Sequence, residues 1–115
     1  MLSVSELIKL VRTSPEKVNF RDVIATIDEH YNFTPTAFRN GDQHNGVGEN
    51  NGSCKILSFA KLNELTVDET LNLFGDFYRM DVLQHPDNSD HQNIRQFMAH
   101  GWGGVDFTAA ALTSK

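Results

Sequence analysis

Apolar residues recur three and four positions apart along most of this chain, and several such stretches open on a polar residue able to cap a helix. Val4, Leu7, Ile8 and Val11 share one face behind Ser3 and Glu6 in capping-box spacing, which predicts a helix over Val4–Arg12. Ser14 and Pro15 read as the cap and first turn of a second helix. Its stripe is Phe20, Val23, Ile24, Ile27 and Tyr31, and its end falls near His30 or Tyr31. Ile56, Leu57, Phe59 and Ala60 lie too close together for a half-buried strand, so Ser53 is expected to cap a helix over Cys54–Asn63. Thr66 and Glu69 repeat the capping-box spacing before Val67, Leu71, Phe74, Phe77 and Tyr78, the widest apolar stripe in the chain. Gly75 interrupts that helix and predicts a neighbour packed tightly against its turn. Pro86 ends it, and Ser89 or Asp90 restarts the chain as a helix with Ile94, Phe97 and Met98 on its inner face. Gly101 is a left-handed stop with Trp102 folded back upon it.

Period-two patterning is confined to two places. "NFTPTAFRN" favours an extended segment, with Pro35 at an edge or bend, and Val105–Phe107 is expected to pair with it near Thr34–Phe38. Between them, Asn40–Gly52 is rich in glycine and asparagine. Asn40-Gly41, Asn45-Gly46 and Asn51-Gly52 are turn signals, but they lack the flanking apolar alternation of a hairpin and read as successive turns in one long loop. The fold class that follows is α+β: a mostly helical single domain over residues 1–115, with about five helices and a short two-stranded β element.

Composition narrows the function classes. A single cysteine excludes an intramolecular disulfide framework, and the amino-terminal stretch lacks the pattern of a secretory signal, so a cytoplasmic location is expected. No apolar window reaches the roughly 20 residues that span a bilayer. Fifteen acidic against ten basic residues give a formal charge of −5, with no basic run to follow a phosphate backbone, which argues against a nucleic-acid partner.

The segments "FTPTAFRNGDQHN", "GENNGSCKILSFAKL", "TLNLFGDFYRMDVL", "DHQNIRQFM" and "GWGGVDF", in this order, resemble the HopJ type III effector family from about Ser5 to Leu112. The resemblance implies a bacterial protein with a possible delivery route through a type III secretion system, and it implies no particular reaction. A delivery signal of that kind is a loosely structured polar amino terminus, whereas Ser3–Val11 reads as a capped amphipathic helix. A resident cytoplasmic role is the expectation, with export as the alternative.

Candidate chemistry centres on "GENNGSCK". Cys54, in the first turn of its expected helix and beside Lys55, meets the conditions for a lowered thiol pKa; its alternative is a small buried side chain. A catalytic partner would come from His44, His85, His91 or His100. His91 is preferred, because His100 is accounted for by the carboxyl end of its helix. The loop is not a P-loop, yet glycines ahead of a helix can present amides to an anion or polar ligand. On that reading Asn45, Asn50, Ser53, Lys55, Asp90, Asn93 and Trp102 form the ligand-facing set. Asp42, His44, Glu49, His85, Asp87, Asp90 and His91 lack the spacing of a recognised metal motif, so no metal and no cofactor are expected.

Three functions compete: a small cytoplasmic binding or interaction module for a small polar ligand or a protein, a cysteine-dependent enzyme using Cys54 with a histidine, and a translocated effector that binds a host protein. No apolar stripe stands apart from the expected core to predict an oligomer.

Overall fold

A computed structural model describes residues 2–115. The first helix, α1, covers Val4–Thr13. It starts where the sequence places it, because Ser3 and Glu6 exchange side-chain to backbone hydrogen bonds of 2.9 and 3.0 Å. Leu7 and Val11 carry its buried face. The second helix does not begin at Ser14. Pro15–Lys17 form a single 3-10 turn, Val18 drops into the core, and α2 starts afresh at Phe20 with Asn19 accepting from the Asp22 amide. Pro15 fits the first turn of either helix type, so its spacing alone does not distinguish a short turn from a long helix.

Helix α2 runs Phe20–His30 and packs on α3, Asn51–Leu62, the central element of the fold. Five of the apolar side chains of α3, Cys54, Ile56, Leu57, Phe59 and Ala60, are almost entirely removed from water. Helix α4 covers Val67–Asn72 behind the Thr66/Glu69 capping box. The long helix expected to follow is broken instead. Gly75 takes a φ of +62° and the chain resumes as a π-helical segment over Phe77–Val82. The tight neighbour expected at Gly75 is present: a Cβ there would lie 2.9 Å from the Phe20 backbone nitrogen and 3.3 Å from Asn19 Cα. The last helix, α5, covers Gln92–His100 and stops at Gly101, φ +61°. Trp102 seals that end, its ring edge-on to Phe97 at 4.9 Å and its Nε1 donating to the Leu65 carbonyl at 3.0 Å.

Among the described residues, five short strands form two sheets where a single pair is expected. β1 (Tyr31–Phe33) pairs antiparallel with β5 (Leu112–Ser114). β2 (Phe38–Asn40) lies between β3 (Gln43–Asn45) and β4 (Val105–Phe107), both antiparallel to it. Phe38 therefore faces Phe107 as anticipated, and their rings stack at 5.0 Å. Thr34–Ala37 are not strand, and Asn40-Gly41 belongs to a true hairpin, correcting the reading of successive turns. The hairpin escapes a hydrophobicity pattern because its inward residues are amides: Asn40 and Asn45 are 0% and 4% exposed. The mostly helical α+β class holds, with five α-helices among the described residues.

Candidate functional site

The amino-terminal ends of α3 and α5 line one cleft, and neither end is capped by a side chain. Ser53 is the third residue of α3 and not its cap; Ser89 and Asp90 precede the cap of α5. The caps are Asn50 and His91, both in the left-handed region at φ 51° and 52°. That conformation costs a non-glycine residue roughly 1–2 kcal/mol, so surrounding contacts must hold it. Asn50 Nδ2 donates to Asn45 Oδ1 at 2.8 Å, and the His91 ring is fixed through Nε2 to the Asp81 carboxylate at 3.0 Å. The connection ahead of His91 is held by Arg95, which donates to the His85 carbonyl and to both the backbone and the side chain of Asp90. This guanidinium also keeps the Asp90 carboxyl below the ordinary carboxylate range.

The cleft has a volume of about 440 Å³, within the usual range for small-ligand sites. Its lining is part aromatic, with Phe20, Phe74 and Phe77, and part polar, with Gln43, Asn50, Ser53, Gln92 and Asn93, while His91 packs at 5.0 Å on Phe77. No Lys, Arg, Asp or Glu lines it. Behind the polar wall lies a buried amide network. Asn93 Oδ1 accepts from Asn40 Nδ2 at 3.1 Å and Asn45 Nδ2 at 3.2 Å, and Asn93 Nδ2 donates to Asn45 Oδ1 at 3.0 Å. These bonds tie the β2–β3 hairpin to the starts of both α3 and α5.

Four of the residues singled out in the sequence, Asn50, Ser53, His91 and Asn93, meet in the cleft. The others do not. Asn45 stands behind the wall as the hub of the network, and Asp90 lies outside, paired with Arg95 at 2.7 Å. Lys55 bonds to Asp28 at 2.8 Å and lies over the Phe33 ring. Trp102 borders a separate shallow pocket with Lys61, Glu64 and Val105. Cys54 requires a correction: it lies in the second turn of α3, points into the core with 1% exposure, and its thiol contacts the Thr36 carbonyl at 3.7 Å. Burial raises its pKa, the opposite of the lowered thiol expected at a helix start. Among the described residues, no group of three or more His, Cys, Asp or Glu side chains is placed to hold a metal ion.

The raised thiol gives a testable pH dependence. A group whose pKa is higher in the folded state contributes stability that is intact below its unfolded value, about 8.5 for cysteine, and lost as pH climbs toward the folded value. Unfolding free energy should therefore fall more steeply above about pH 8.5 for the native chain than for Cys54→Ala. Native alkylation should be slow and become fast in denaturant; a rapid native reaction with a midpoint below the free-thiol value would reverse the assignment.

Residues 4–112 match the HopJ type III effector protein family. The chain belongs to that family. It is also similar to the crystal structure of the unknown-function protein VPA0580, with 50% identity and a TM-score of 0.97, covering 99% of this chain and 95% of that one. No curated protein matches the chain. No helix among the described residues is long and apolar enough to cross a membrane.

The HopJ fold brings into its cleft residues that spacing alone assigns elsewhere. Phe77 reads as core because it continues the α4 stripe, but the break at Gly75 rotates it outward to 39% exposure. Asp81, which fixes His91, sits on the same π-helical segment. Such segments recur at functional sites, and their one-residue insertion leaves little trace in hydrophobic spacing.

Proposed function

We propose that this HopJ-family domain is a small-molecule-binding module whose ligand sits in the cleft between the starts of α3 and α5. The observation that carries the reading is the network of Asn40, Asn45, Asn50 and Asn93, which fixes a polar wall before any ligand arrives. Asn40 Oδ1 has no partner, but the remaining bonds among these amides hold their side chains in one arrangement, and a pre-formed site loses little entropy on binding. The cysteine-dependent alternative is disfavoured, since Cys54 is buried away from the cleft that His91 lines. Family membership keeps delivery by a type III system, and thus a host-protein partner, as the second reading.

A cognate ligand should stabilise the fold by about 2.7 kcal/mol at a hundredfold excess over Kd. Gly52 lines the cleft and a Cβ there would stand 3.0 Å from Phe20 Cζ, so Gly52→Leu should displace that ring and crowd the cleft, retain the native circular dichroism spectrum and lose ligand stabilisation. Equal stabilisation of the variant and the native chain would place the ligand elsewhere.

A further inference from the structure

We propose that the cleft receives a neutral, planar nitrogen heterocycle with donors and acceptors along its edge, the chemistry of a free nucleobase or nucleoside. This rests on the small-molecule reading above and narrows its ligand class. Three features of the cleft carry it.

The first is a part-exposed aromatic ring in the lining. Phe77 is 39% exposed, yet it is held by Phe20 at 5.0 Å with the rings near perpendicular and by His91 at 5.0 Å with the rings tilted. A ring braced in this way offers a stacking surface with little freedom to lose, and stacking on an aromatic face is indifferent to which planar base arrives. The second is the polar wall. Asn50 spends an Nδ2 proton on Asn45, which leaves its carbonyl oxygen as an acceptor, and the Ser53 hydroxyl and Gln43 amide lie beside it. Side-chain amides match the paired donor and acceptor on a heterocycle edge, and helix-start amides without side-chain caps can donate to a ring carbonyl. The third is charge. No Lys or Arg lines the cleft and the chain carries a formal −5, so a polyphosphate would be desolvated without a countercharge.

The test is calorimetric titration and thermal shift of the full chain with adenine, guanine, cytosine, uracil and their nucleosides. AMP and ATP serve as charged analogues; free amino acids, monosaccharides and small dicarboxylates serve as non-planar polar controls. At least one base or nucleoside should bind saturably and more tightly than its phosphorylated forms. Phe77→Ala should weaken that binding by about tenfold, and Phe77→Trp should restore it. Because Phe77 is partly exposed, Phe77→Tyr provides a second, conservative variant that should fold and bind like the native chain.

Binding of the non-planar controls but of no base or nucleoside would overturn the heterocycle and leave the binding module standing. Silence from the entire panel would overturn both. Preference for AMP or ATP over the parent nucleoside, or base binding indifferent to Phe77→Ala, would also overturn this assignment.

Discussion

Gly75→Ala is expected to lower the unfolding free energy by about 3 kcal/mol, a large share of the stability of a domain this size. Two costs add. At φ +62° an alanine pays the left-handed penalty of roughly 1–2 kcal/mol, and its Cβ would stand 2.9 Å from a backbone nitrogen of α2. Backbone cannot swing aside as a long side chain can, so α2 and the Phe77–Val82 segment would have to separate. Because Phe20 and Phe77 flank that contact, the same change should loosen the aromatic part of the cleft lining. Urea denaturation measures the loss as a lower midpoint at unchanged slope. Gly103→Ala is the matched control, since it has open space around it and no positive φ, and it should be nearly neutral. Equal midpoints for the two variants would show that the close approach at Gly75 is not what the chain requires there.

The second large effect is expected at Asn45. Its removal as Asn45→Ala leaves Asn93 Nδ2 without its acceptor and takes donors from Asn93 Oδ1 and the Phe38 carbonyl, all in the buried part of the network, while Asn50, which is exposed, can turn its freed Nδ2 to water. Each stranded buried group costs about 1–3 kcal/mol, so a total near 3 kcal/mol is expected after partial relaxation. Thermal or chemical denaturation reports the loss. Pairing Asn45→Ala with Asn93→Ala separates a network from two independent contacts, because residues that share bonds should couple by about 1 kcal/mol or more. Strict additivity of the two substitutions would mean that the amides do not act together, and the case for a pre-formed wall would fall with it.

What the sequence discloses depends on how local the signal is. The starts of α1 and α4 are legible because a capping box is completed within four residues, at Ser3–Glu6 and Thr66–Glu69. The starts of α3 and α5 are not, because the chain enters each through a left-handed Asn50 or His91 held by distant partners. The β2–β3 hairpin is hidden for a related reason: Asn40 and Asn45 point inward where alternation rules look for apolar residues. In the candidate site, Asn50, Ser53, His91 and Asn93 are legible as polar residues near helix starts. Phe77 and Asp81 are not, since their placement depends on the break at Gly75 and the π-helical segment after it. Cys54 is misplaced by one turn, and that turn moves it from the positive end of a helix into the core.

The hairpin that supplies Asn40 and Asn45 is anchored on its other edge by β4, which pairs Phe38 with Phe107 across most of the chain. Helices and capping boxes close over a few residues, whereas this pairing must first overcome the entropy of a long loop. The polar wall is therefore expected to close last, so that Asn45→Ala speeds unfolding and leaves the folding rate nearly unchanged. A molecule bound there acts on native protein and not on the transition state, lengthening the lifetime of the folded chain while leaving the speed at which it folds unchanged.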